Sequence, residues 1–148
     1  MSIRFQRDPQ ILQIAEAYSL DAVEYAEKAF AIKLDWSDDS VRRVETMLGR
    51  LHDERTTQKP SPKQVFQFAK MLGSYVGEVF RKNHGAAWGI VSLDGEDFPG
   101  LKADKGTVFW PWGRAQNRIL NGSSDNLWHY YQHLLANEQT EAGGTPGT

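Results

Sequence analysis

The chain has 148 residues, 17 Lys plus Arg against 19 Asp plus Glu for a formal charge of -2, and no cysteine. A chain of that length folds as one domain burying about 70% of its unfolded surface, and 40% hydrophobic with 11% aromatic residues is too apolar for disorder. Disulfides, thiolate nucleophiles and Cys-based zinc or iron–sulfur sites are excluded. No apolar run approaches the roughly 20 residues of a membrane span, and the start Met1–Asp8 lacks a signal peptide's apolar stretch, so the expected address is the cytoplasm.

Asp8-Pro9 reads as an N-cap with Pro at the first helical position, and apolar residues from Ile11 to Phe30 keep helical spacing through about residue 32. Ser19-Leu20-Asp21 is a possible break, because Ser and Asp compete for backbone hydrogen bonds. A second helix is expected after Ser37, with Trp36 stapled onto Val41 and a buried stripe of Val41, Val44, Leu48 and Leu51. The polar stretch His52–Lys59 reads as an exposed loop. Ser61-Pro62-Lys63-Gln64 then carries a capping box and opens a helix apolar around most of its circumference, Val65 to Phe80, which places it at the centre of the fold. Arg81, Lys82 and His84 before Gly85 predict its end near Asn83.

Beyond Gly85 the pattern changes to short segments, Ala87–Leu93, Phe98–Ala103 and Thr107–Trp110, separated by turn residues, which predict a small antiparallel meander. Pro111 should end the last strand. A short helix is expected over Arg114–Leu120, closed by Asn121-Gly122, and Ser123-Ser124-Asp125 should cap a final helix through Leu135. The expected architecture is α+β: N-terminal helices, a central buried helix packed on the meander, and a C-terminal helix, in a single domain over 1–138. Residues 139–148 are composed like a flexible tail.

The run Met71-Leu72-Gly73-Ser74-Tyr75-Val76-Gly77-Glu78-Val79, then Gly85, Trp88, Phe109-Trp110-Pro111-Trp112-Gly113-Arg114, Asn117-Arg118 and Asn121-Gly122, resembles a bacterial domain-of-unknown-function family, as does Leu34-Asp35-Trp36-Ser37 with Ser40-Val41 and Glu45. The resemblance covers about residues 22 to 135. It implies a small single-domain bacterial protein without established activity, in a family some of whose members come from genomic settings rich in toxins and antidotes. An interaction role is what that setting implies.

Gly73 and Gly77 stand four apart on one helix face, where helical Gly costs about 1 kcal/mol relative to Ala, so a close packing partner, first of all the sheet, is expected. Glu78 beside them is either a structural carboxylate, bound by backbone N–H groups or by Arg114 or Arg118, or a general acid or base. Arg114 and Arg118, one turn apart, have the spacing of a phosphate or carboxylate clamp, with salt bridging as the simpler reading. His129 and His133 have metal-ligand spacing but lack the Glu of a zinc-protease helix, so no metal is expected; His52 and His84 fit helix ends.

Trp88 and Trp128 are assigned to the core. Trp110, Trp112 and Arg114 around Pro111 are expected in a loop, as the best binding surface. Residues 16–45 hold eight acids against four bases, which makes Asp35, Asp38 and Asp39 part of an acidic face for a basic partner. The bases of residues 50–85 are spread over several helix faces, which argues against nucleic acid. No phosphate-binding glycine loop and no nucleophile elbow occur. These features together predict a non-enzymatic protein-binding module that needs no cofactor, with an immunity protein occluding a cognate toxin as its most concrete form. The alternative is a small-molecule binder or enzyme using Glu78 with Arg114 and Arg118.

Overall fold

The computed structural model describes residues 3–142, with side chains through residue 138. In chain order the elements are β1 (Ile3–Arg7), α1 (Pro9–Phe30), α2 (Ser40–Asp53), the one-turn α3 (Arg55–Gln58), α4 (Pro62–His84), β2 (Ala86–Leu93), β3 (Glu96–Ala103), β4 (Val108–Phe109), α5 (Pro111–Asn121), a 3-10 turn (Ser123–Asp125) and α6 (Leu127–Ala142). The strands form one antiparallel sheet in the order β1-β2-β3-β4. The fold is α+β, as expected.

α4 is the axis of the molecule. Ser61 accepts from the Gln64 N–H at 3.2 Å while the Gln64 side chain accepts from the Ser61 N–H at 2.8 Å, the reciprocal pair that fixes the helix start. Its end is set by Gly85, whose φ of +90° no L side chain adopts cheaply. Every residue from Leu72 to Phe80 is buried, because α1 and α5 pack on α4 from two sides and the sheet covers a third. The two glycines make that possible. A Cβ at Gly73 would stand 2.6 Å from the Pro111 carbonyl oxygen at the start of α5, and one at Gly77 would run into the Trp88 ring and, at 2.7 Å, Leu101 Cδ1 on the sheet. The sheet is therefore the neighbour of Gly77, whereas the backbone of α5 is the neighbour of Gly73.

Several boundaries differ from expectation. β1 precedes the Asp8 cap and pairs along β2 from Ile3 opposite Leu93 to Arg7 opposite Gly89, so the meander gains an N-terminal edge strand. α1 is unbroken at Ser19, which is buried and turns its hydroxyl back onto the Glu16 carbonyl at 2.8 Å. α2 begins at Ser40, with Ser37 Oγ accepting from its N–H at 3.2 Å, and the Trp36 ring packs against Tyr75 with centroids 4.8 Å apart. Most of His52–Lys59 is helical, and Arg55 anchors it by donating to the Leu120 carbonyl at 2.7 Å.

Pro111 opens α5 rather than merely closing a strand, since its fixed φ suits the first helical position. Asn126, not the Ser123–Asp125 turn, caps α6 by accepting from the His129 N–H at 2.9 Å. α6 runs past Leu135 to Ala142, through the first four positions set apart as a tail; 143–148 lie outside the described residues. No described helix is long and apolar enough to cross a membrane.

Candidate functional site

Glu78 is 1% exposed, and its partners come from near in sequence. Arg81, one turn along α4, grips it with Nε on Oε2 at 2.6 Å and a terminal nitrogen on Oε1 at 2.9 Å, while the Trp88 indole donates to Oε2 at 2.9 Å. The hydrogen bonds from Arg81 in turn hold its guanidinium more firmly protonated than usual. With both oxygens engaged, Glu78 ties the end of α4 to β2.

The expected link from Glu78 to Arg114 or Arg118 is corrected. Arg118, 7% exposed, donates from Nε to Glu45 Oε2 at 2.7 Å, and Glu45 Oε1 accepts from the Leu127 N–H at 2.8 Å, so this pair joins α2, α5 and the start of α6. Arg114 is exposed and lies over the Tyr130 ring at 3.8 Å. The two arginines are one turn apart on α5 yet lead to different neighbours, Arg118 to Glu45 of α2 and Arg114 to Tyr130 of α6. The three residues of the small-molecule reading form no common site.

Asp35, Asp38 and Asp39 do come together before α2, but they are partnered from within. Asp38 accepts from Tyr131 Oη at 2.6 Å and lies 2.9 Å from His84 Nε2, with Asn83 Nδ2 at 3.3 Å. Burial pushes the Tyr131 phenol well above its ordinary range, and the hydrogen bond and charge of Asp38 add in the same direction. Tyr75 beside it is raised chiefly by burial and shares a 2.7 Å hydrogen bond with Ser40. Asp39 binds Arg42 at 2.7 Å, and Asp35 is held below the usual carboxylate range by hydrogen bonds from Ser37. Most of the negative charge of this segment is thus committed to its own helix ends and bases.

The aromatic segment is divided by α5. Trp112 lies in the helix rather than in a loop, is 6% exposed, and donates from Nε1 to Ser74 Oγ at 2.8 Å. Trp110 stays half-exposed just before the helix, edge-on to Phe98 with centroids 6.4 Å apart. Its indole N–H is buried without a hydrogen-bond partner among the described residues. Around it runs a groove of about 460 Å³ lined almost wholly by apolar groups: Phe66 from the first turns of α4, Leu93, Phe98 and Pro99 from the β2–β3 hairpin, and Trp110 and Trp112. Phe66 is 40% and Phe98 38% exposed, although both are large aromatics with a core beside them.

Sequence reasoning found Trp110 and missed Phe66 and Phe98. Phe66 stands next to Val65 in a helix apolar on most sides, and only its position one turn from the capped end marks it as lying beyond the packed length. Phe98-Pro99 carried a clearer signal, since Pro within a strand indicates an edge.

His129 and His133 are both exposed, and among the described residues no group of three or more His, Cys, Asp or Glu is arranged to hold a metal ion. Comparison of the chain with protein-family models, curated proteins and solved structures gave no match.

Proposed function

We propose that the protein is a non-enzymatic protein-binding module, and that the groove between Phe66, Phe98 and Trp110 is where its partner docks. The observation that carries this reading is the grouping of two exposed phenylalanines and a half-exposed tryptophan along one apolar groove, where leaving large rings in water is unfavourable by about 25 cal/mol per Å². Aromatic anchors of this kind dominate protein interfaces. The immunity-type reading, in which the module occludes a cognate toxin in the cytoplasm, draws on the resemblance to the bacterial family and its toxin-rich settings. Arg114, exposed at the head of α5 over the Tyr130 ring, lies outside the groove lining, and Asp35 and Asp39 are exposed before α2.

The small-molecule reading has less behind it, since Glu78 and Arg118 are engaged in pairs that join elements. The test is affinity purification of the tagged protein from its own cell beside a Phe66→Ala/Phe98→Ala variant. A stoichiometric partner recovered with the native chain and lost with the folded variant supports the reading. Equal recovery with both moves the interface away from the groove.

A further inference from the structure

The groove borders a sheet edge that the described residues leave unfinished. The β2–β3 hairpin turns through Asp94 and Gly95, both at positive φ, and pairs Leu93 with Glu96, Val91 with Phe98 and Gly89 with Gly100. In a two-residue hairpin these odd-with-even pairs exchange backbone hydrogen bonds, so Phe98 and Gly100 point their N–H and C=O at β2. Asp97, Pro99, Leu101 and Ala103 present theirs to the other side. There Leu101 faces Phe109 of β4, and the Ala103 N–H donates to the Thr107 carbonyl at 2.7 Å. β4 ends at Phe109, because Pro111 starts α5 and takes the chain off the strand line. Among the described residues no strand neighbours Asp97 and Pro99, which offer one N–H and two carbonyls on that side. Proline sits at one of the two outward positions where its missing N–H breaks no bond.

The apolar groove wraps this open stretch on both faces of the sheet. Leu101 points toward Gly77 of α4, and Pro99, two residues away, shares that face, on the side where Phe66 and Trp112 stand. Phe98 lies on the opposite face with Trp110, whose ring passes over Gly100 at 3.4 Å from the site of a Cβ. A strand laid along the edge would alternate its side chains between these two apolar walls. The ends differ in charge. The hairpin tip exposes Asp94, Glu96 and Asp97, with Arg4 the basic side chain in the same surface dip, while Lys70 stands at the helical wall with its ammonium 5.0 Å over Trp112.

We propose that an extended segment of the partner protein adds to the sheet as a strand along Asp97–Pro99, in line with β4, with large apolar residues alternating to both sides and a basic residue toward Glu96. This deepens the protein-binding reading and rests on it. An uncovered edge is a template for such pairing, in which main-chain hydrogen bonds supply affinity and alternate side chains supply specificity.

The experiment selects phage-displayed random heptapeptides on the full-length protein, synthesises the best binder, and measures its affinity with each backbone amide N-methylated in turn. Enriched peptides should carry a basic residue and alternate large apolar ones. N-methylation should lower affinity tenfold or more at alternate positions only, and Phe66→Ala/Phe98→Ala should lower it as much. If the Phe variant weakens binding while no N-methyl group does, strand addition is wrong and the groove reading stands. If the Phe variant binds the selected peptides as tightly as the native chain, or no peptide is enriched, both fail. A concentration-dependent dimer in sedimentation, lost in the Phe98→Ala chain, would make the occupant a second copy and overturn the partner assigned here.

Discussion

Replacing Gly73 by Ala tests the contact that seats α5 on α4. The new methyl would stand 2.6 Å from the Pro111 oxygen, 2.8 Å from the Pro111 carbonyl carbon and 2.9 Å from Trp112 Cα, all backbone atoms that no rotamer change can move. α5 must therefore shift as a unit, loosening the Trp112–Ser74 hydrogen bond. Overpacking a tight core costs about 1–3 kcal/mol, and a clash with backbone belongs at the upper end. Recovered helix propensity offsets about 1 kcal/mol, leaving about 2 kcal/mol of destabilisation. For a chain of this size that lowers Tm by about 6 °C. Gly113→Ala is the control, since its nearest neighbour would be Trp110 Cβ at 3.8 Å, ordinary contact, and it should be neutral or stabilising by up to about 1 kcal/mol. Urea denaturation of the three chains with a common slope measures both differences. A Gly73→Ala chain within about 0.5 kcal/mol of the native one would refute the close approach of α5 to α4.

Arg118→Met should cost about 3 kcal/mol, because Glu45 would keep only the Leu127 N–H, and adding Glu45→Gln should recover part of the loss; an additive double-mutant cycle in urea would show that the pair does not couple. Tyr131 keeps its proton in the native state, whereas unfolded tyrosines ionise near pH 10, so the native chain binds more protons and stability falls as pH rises above about 10, by about 1.4 kcal/mol per pH unit for each such residue. Tyr131→Phe should flatten that decline by about this amount in urea midpoints compared between about pH 9 and 11, and an unchanged slope would contradict a buried neutral phenol. Ser61→Ala should cost about 1 kcal/mol and speed hydrogen exchange at the Gln64 amide, both following from the capping box.

The local rules that govern helix ends were readable in the chain. Ser61, Asp8 and Gly85 act through backbone hydrogen bonds to residues two to four positions away, so their neighbours in sequence are their neighbours in space. β1 was not readable in this way. Ile3–Arg7 is five residues of mixed character with a mostly exposed pattern, and it becomes a strand because β2 offers it a free edge, a tertiary cause with no local trace. Trp112 shows the same limit from the other side. Aromatics around a proline suggest a loop, yet Pro111 serves as the first residue of a helix, and Gly73 leaves room for that helix to press onto α4.

The same distinction separates the candidate residues. Glu78 was recognisable as a buried carboxylate from its place on an apolar helix face, but its partner was misassigned to distant arginines although Arg81 stood one turn away on its own helix, close enough for a two-point hydrogen bond. Arg81 needs no tertiary alignment to reach Glu78, because residues three apart on a helix are neighbours. Asp35 and Asp39 likewise find near partners, Ser37 and Arg42, while both remain exposed. The groove escaped a residue-by-residue reading for the converse reason. Phe66 and Phe98 are ordinary core residue types in their own segments. They become a surface where β4 ends after two residues and, among the described residues, no strand continues along the edge between them.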